Sequence, residues 1–298
     1  GGKMNVLITG SHGLIGTALY EFFTGQGHTV FRMMRGSREE ASFFCYAASG
    51  ELRYDETVDI HAVINFMGEP IASGRWTKRK KQRILESRTF STRVLAEKLA
   101  SLSRKPEIFI SGSATGYYGN RGEETLIEES RRGEGFLADV CARWEEATSA
   151  AARAGIRTVQ VRTGIVLSTR GGMLPRLLRP FRMGLGGNIG SGTQYMSWVT
   201  LEDVVAVIAF IINNATLHGP LNLTAPRPVT NREFTATLAS LLKRPAFFPL
   251  PAPLLRLLFG EMAEDVLLGG TRAVPEKLTR AGFRFIHAGL KSGLSSLI

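Results

Sequence analysis

Met4-Asn5-Val6-Leu7-Ile8-Thr9-Gly10-Ser11-His12-Gly13-Leu14-Ile15-Gly16 is the stretch that decides the fold class. Met4 to Thr9 is an apolar, β-branched run, which predicts a buried strand that stops at Gly10. Leu14, Leu19, Phe22 and Phe23 then recur at helical spacing up to Thr24, and Gly25 and Gly27 end that helix. Thr29 to Met33 reads as a second strand. Strand, glycine turn, helix and strand form a βαβ unit of about 30 residues, so the two strands run parallel.

Outward from this unit the pattern first weakens. Arg35 to Asp59 is a loose connection with short pieces. Ala62 to Phe66 predicts a buried strand, Trp76 to Ala100 a long helix, Glu107 to Ser111 a strand, Phe136 to Ala154 a helix and Thr158 to Val161 another strand. The alternation predicts an α/β fold: a doubly wound parallel-sheet Rossmann domain over residues 4–168. Past Leu167 the texture changes to Gly171-Gly172, Pro175, Pro180 and a glycine cluster from Gly184 to Gly192. Helices at Leu201 to Asn213, near Asn231 to Leu242 and at Pro253 to Phe259, with a short strand around Leu221 to Leu223, predict a smaller, mostly helical C-terminal lobe over 169–298. The two lobes are expected to interleave.

Composition narrows the function classes. Of 298 residues, 44% are hydrophobic and 21% charged, which fits a packed globular chain rather than a disordered or coiled-coil one. The net charge of +11 includes a dense run at Lys78, Arg79, Lys80, Lys81 and Arg83. That run sits in a helical pattern where Ile84, Leu95 and Leu99 turn inward, and it lacks the aromatic interleaving that stacks bases. A solvated helix face is therefore expected, with no nucleic-acid partner. No run approaches the ~20 apolar residues of a membrane span, so no membrane partner is expected. With two cysteines and no leader-like segment, the expected location is cytoplasmic. No His or Cys cluster has metal-ligand spacing, and no G-x-S-x-G turn occurs. The oligomeric state stays open.

The glycine turn carries the first chemical expectation. Gly10 permits a tight turn, Gly13 lets backbone approach a pyrophosphate, and Gly16 lets the helix pack close to the sheet. Free N–H groups of the helix start, with His12, Leu14 and Ile15 around them, then face a bound dinucleotide. When the ligand is NAD, the second strand ends in an acid that accepts from the ribose diol. Here Val30-Phe31-Arg32-Met33-Met34-Arg35-Gly36 contains none, and Arg35, or less favourably Arg32, suits a 2′-phosphate. The expected cofactor is NADP(H). Asn65, Met67, Gly68 and Ser111 lie beyond the carboxyl ends of the next strands, where such a sheet holds its ligand.

Further segments add a resemblance. Gly68-Glu69-Pro70-Ile71, Arg75-Trp76, Ser87-Arg88, Gly116-Tyr117-Tyr118-Gly119, Phe136-Leu137-Ala138, Trp144-Glu145, Gly184-Leu185-Gly186-Gly187 and Asn222-Leu223-Thr224-Ala225-Pro226 run across nearly the whole chain. With the glycine turn, they make it similar to the extended short-chain dehydrogenase/reductase family, in its atypical epimerase-family, cell-division-inhibitor-like branch. The resemblance implies a Ser or Thr, matched by Ser113, and a Tyr-x-x-x-Lys pair that exchanges a proton and holds the nicotinamide ribose. Aligned by Trp144-Glu145, however, Leu137 stands at the tyrosine position and Cys141 at the lysine position. Tyr117 is then a candidate substitute acid, against a packed-loop alternative. Glu69 and Cys141 are further candidates, against capping and buried-thiol readings. Ser197-Trp198 and Asp203 resemble the segment that closes over substrate, and Asp203 also suits a helix anchor. The expected function is an NADP(H)-binding oxidoreductase or epimerase-like enzyme acting on a small polar substrate, with an anionic compound or a nucleotide sugar as options. The alternative is a regulatory protein that binds NADP(H) and has lost catalysis.

Overall fold

The computed structural model describes residues 2–35, 44–46 and 52–298. Its centre is a six-stranded, all-parallel sheet. In chain order the elements that matter are β1 (Asn5–Thr9), α1 (Leu14–Gly25), β2 (Thr29–Arg32), β3 (Ala62–Asn65), α2 (Lys78–Ser101), β4 (Ile108–Ala114), α3 (Phe136–Glu146), β5 (Arg157–Thr163), α4 (Leu174–Arg182), α5 (Leu201–Asn213), β6 (Gly219–Leu223), α6 (Asn231–Leu242) and α7 (Ala252–Phe259). The strands lie in the order β6-β5-β4-β3-β1-β2. The chain leaves β1 toward one edge and returns at β3 on the other side, so the switch point falls between these two strands.

Strand periodicity explains the two layers. Val6, Ile8, Ala62, Ile64, Ile108 and Ile110 face one side and pack under α1 and α5, while Leu7, Val63 and Phe109 face the other and pack under α2. Both faces are apolar because helices cover both, as a parallel sheet requires. Each fully buried Leu, Ile or Val contributes roughly 1.5–3 kcal/mol.

Several expectations shift on contact with the structure. The strand expected in the second lobe, around Leu221 to Leu223, is β6 of the central sheet, paired to β5 from Gly219↔Val159 to Leu223↔Thr163. Helix α5 packs against α1, so the chain returns to the first lobe after the glycine cluster. The single helix expected from Phe136 to Ala154 breaks after α3 and resumes at Ser149–Arg153. At the break, Thr148 Oγ1 donates to the Glu145 carbonyl at 2.7 Å and accepts from Gln160 Nε2 at 2.8 Å. The basic run of α2 is not wholly solvated either: Lys80 is buried, in the same inward stripe as Trp76, Ile84, Arg88, Thr92 and Leu99. Between β2 and β3, short strands Met34–Arg35, Phe44–Tyr46 and Leu52–Tyr54 form a separate three-stranded sheet. Among the described residues no helix is long and apolar enough to cross a membrane.

Candidate functional site

The carboxyl ends of β1 and β3 border a groove lined by Gly10, Ser11, His12, Gly13, Met33, Phe66, Met67 and Gly68. Gly10 has φ +64°, and a Cβ there would stand 2.5 Å from the Phe66 carbonyl oxygen. A Cβ on Gly16 would stand 2.2 Å from the Gly10 carbonyl oxygen, so only glycine lets α1 start this close to the turn. No side chain caps α1 at Gly13. The helix therefore presents uncapped N–H groups, with Leu14, Ile15 and Gly16 in its first turn, at the open end of the sheet. His12 is exposed at the groove, its Nδ1 3.4 Å from Ser11 Oγ.

Asn65 and Ser111, expected beside the cofactor, are fully buried one layer below. They occupy one register row with Thr9. Thr9 Oγ1 donates to Asn65 Oδ1 at 2.6 Å, and Asn65 Nδ2 donates to Thr92 Oγ1 at 2.8 Å and Ser111 Oγ at 3.1 Å. Trp144 Nε1 donates to the same Thr92 hydroxyl. These side chains tie the strand ends to α2 and α3, and the backbone above them forms the groove floor. The backbone of Arg35 pairs within the short strands, and its side chain lies outside the described residues. Arg32 stacks on the Tyr20 ring, 3.5 Å from its centroid.

Arg88, whose burial the periodicity of α2 concealed, lies directly behind Gly68 of the groove wall. It is 8% exposed, and its Nη1 donates to the Glu69 and Ile84 carbonyls at 2.9 and 3.2 Å. Its Nε is buried without a hydrogen-bond partner. A Cβ on Gly68 would stand 2.8 Å from the guanidinium carbon, so the glycine lets this cation lie against the groove wall. Burial lowers the Arg88 pKa, and nearby Cys141 and Glu69 oppose that shift. The only sequence signal was the Ser87-Arg88 pair within the resemblance. Glu69 itself is bound by Lys80 Nζ at 2.8 Å.

A second cavity, of about 360 Å³, opens between the ends of β4 and β5 and the C-terminal lobe. Ala114, Thr115, Gly116 and Leu137 line one side, and Tyr195, Met196, Asp265 and Thr271 the other. The loop after β3 joins the two spaces: Phe66 to Gly68 border the groove, and Ile71 and Ala72 border this cavity. Leu137 stands in the wall, where the resemblance places the tyrosine. Cys141 is buried behind it, and burial pushes its thiol up to about 11, which keeps it protonated at neutral pH. Burial likewise raises the Asp265 carboxyl, against a hydrogen bond from the Leu137 backbone N–H.

Ser113 and Tyr117 are not among the wall residues. Ser113 Oγ donates to Glu145 Oε1 at 2.7 Å. Glu145 also receives Arg162 through two bonds, Nε to Oε1 at 2.7 Å and Nη2 to Oε2 at 2.9 Å. Arg162 donates through Nη1 to the Tyr118 hydroxyl at 3.0 Å, and that hydroxyl donates to Asn222 Oδ1 at 2.7 Å. Burial alone would lower the Arg162 pKa, but the Glu145 carboxylate outweighs it and the net shift is upward. Burial pushes the Tyr118 phenol up to about 12. Tyr117 lies flat on the Arg162 guanidinium, 3.5 Å from ring centroid to carbon, and packs edge-on against Tyr118. The tyrosine pair is thus a packed lid over a buried ion pair. Asp203 is an anchor: it is fully buried and accepts from the Ile286 and His287 backbone N–H groups at 2.7 and 3.0 Å.

A parallel sheet with a glycine turn at its switch point and a cavity under a second lobe defines a Rossmann-like fold, and comparison with known proteins gives the family. The NAD dependent epimerase/dehydratase family matches residues 6–223, and a domain of unknown function, DUF1731, matches residues 250–297. The chain belongs to the NAD dependent epimerase/dehydratase family. It is 44% identical over 283 residues to the epimerase family protein Mb2239 of Mycobacterium bovis, covering 95% of this chain and 93% of that one. The crystal structure of human epimerase family protein SDR39U1 with NADPH superposes with a TM-score of 0.88 at 30% identity, over 99% of both chains. A nucleoside-diphosphate sugar epimerase from Corynebacterium glutamicum superposes with a TM-score of 0.81 at 32% identity, over 99% of this chain and 58% of that one.

Proposed function

We propose that the chain binds NADP(H) along the β1–β3 groove and is an oxidoreductase or epimerase-like enzyme whose substrate sits in the cavity between the lobes. The observation that carries this reading is the backbone cradle of Gly10, Gly13 and Gly16 at the uncapped start of α1, continuous through the loop after β3 with a substrate-sized cavity. The similar human protein was crystallised with NADPH, which supports the same cofactor here. When bound, the dinucleotide supplies a hydride donor or acceptor at nicotinamide C4.

The chain's own residues divide the work. Backbone N–H groups of the first turn of α1 hold phosphate, and the Arg35 guanidinium is assigned to the 2′-phosphate. Arg88 puts a fixed positive charge beside Gly68 and close to Cys141, the position where the family's lysine is missing. Asp265, raised by burial and bonded to the Leu137 N–H, is the cavity group best suited to hold a proton near the missing tyrosine. Ser113, committed to Glu145, positions the end of β4.

Calorimetric titration with NADPH and NADH tests the binding, with NADPH expected to be tighter by about tenfold or more. Equal affinities would remove the Arg35 assignment. NADPH oxidation against a panel of carbonyl compounds then tests the chemistry. Leu137 and Cys141 support a second reading, a regulatory protein that kept the ligand and lost catalysis. Tight NADPH binding with no turnover across the panel would favour it.

A further inference from the structure

The chain carries 37 Lys and Arg residues, yet none of the described residues lining the cavity between the lobes is Lys, Arg or His. Three carboxylates do line it: Glu134, Glu264 and Asp265. The cations nearby are occupied outside the wall. Arg176 donates to the Ala72 carbonyl at 3.4 Å, Arg256 pairs with Glu264, and Arg272 stacks 5.0 Å from the Tyr195 ring while donating to the Glu123 carbonyl. Much of the remaining wall is apolar, including Ile71, Leu137, Ile165, Met173, Met196 and Val266.

That composition selects by charge. A diphosphate removed from water needs cations or several N–H donors around it, because an unpaired charge in a dry site is strongly unfavourable. Here it would meet an exposed Glu134, a Glu264 already paired with Arg256, and an Asp265 whose burial favours the protonated form, and no cation in the wall to pair with it. A volume of about 360 Å³ suits one small organic molecule.

Resting on the dinucleotide reading above, we propose that this cavity takes an uncharged or cationic, largely apolar compound bearing a carbonyl or hydroxyl group, and excludes nucleoside-diphosphate sugars. This departs from the polar, anionic or nucleotide-sugar options that the sequence left open. The start of α1 offers uncapped backbone N–H groups to phosphate, whereas no Lys, Arg or His among the described residues lines the cavity.

The test is a charge series on one scaffold, titrated calorimetrically into the NADPH-saturated protein: 2-tetralone, 2-aminotetralin and tetralin-2-carboxylate, with UDP-glucose alongside. The ketone and the ammonium compound are expected to bind at least about tenfold more tightly than the carboxylate, and UDP-glucose to show no saturable binding. Asp265→Asn should weaken the ammonium compound more than the ketone, because a cation beside Asp265 favours its ionised form. Binding of UDP-glucose or the carboxylate as tight as that of the ketone, or binding of no member of the series, overturns the proposal. Failure of NADPH itself to bind would instead sink the dinucleotide reading, and the same series run on the free protein would still report on the cavity.

Discussion

The groove and the cavity lie end to end on one sheet but are built from different materials. The groove is made of backbone: Gly10, Gly13 and Gly16 remove Cβ atoms so that N–H groups can face a ligand. The cavity is made of side chains from separate stretches of the chain, between Ile71 and Thr271. A backbone site depends on a few glycines at fixed spacing and tolerates change around them. A side-chain cavity has no such anchor, so its chemistry can drift while the cofactor end stays constant. Leu137 and Cys141 are the residues that the resemblance aligns with the family's proton-transfer pair.

Beneath both spaces the buried Glu145–Arg162 pair links β5 to α3, and breaking it should have the largest effect. Arg162→Met strands the Glu145 carboxylate beside Ser113 and is expected to lower stability by about 3–5 kcal/mol in urea unfolding. A loss below about 1 kcal/mol would show that the pair is not what joins the two regions. Gly13→Asp comes next. A Cβ at Gly13 would meet only the Gly10 carbonyl oxygen, at 3.3 Å, so the fold should survive. NADPH affinity should fall by about 100-fold through steric and like-charge conflict with phosphate, read by calorimetry. Unchanged affinity would detach the cofactor from the groove.

Arg88→Met sharpens the comparison where the two regions meet, with an expected loss of about tenfold in NADPH affinity and partial recovery in Arg88→Lys. If melting temperature drops while affinity holds, Arg88 is structural only. The smallest effect concerns Glu128, which lines neither the groove nor the cavity. Its Oε1 accepts from the Asn222 and Lys277 N–H groups, while Oε2 is buried without a partner, and burial raises its pKa above 4.5. The folded state therefore favours the protonated form. Its stabilising contribution is complete below the ordinary value of 4.5 and is lost as pH rises through the folded value. Glu128→Gln should flatten that loss, so that the variant gains on the parent between mildly acidic and neutral pH in thermal unfolding. A constant difference across that range would assign Glu128 no titration in it.

Local pattern by itself determined the β1–α1–β2 unit, the glycine turn, the alternation that makes a doubly wound sheet, and the apolar positions Ile84, Leu95 and Leu99 of the inward face of α2. These rest on periods of two and 3.6 residues and on glycine's missing Cβ, which a short window of sequence contains in full. Only the tertiary structure decided that β6 rejoins the sheet, that Lys80 and Arg88 turn inward, that Ser113 and Tyr117 serve a buried ion pair, and that Asp265 reaches Leu137 across the lobes. Each of these depends on which distant side chain arrives as a partner. A buried charge and a solvated one are the same letter in sequence, and the difference between them is made by the neighbours the fold brings.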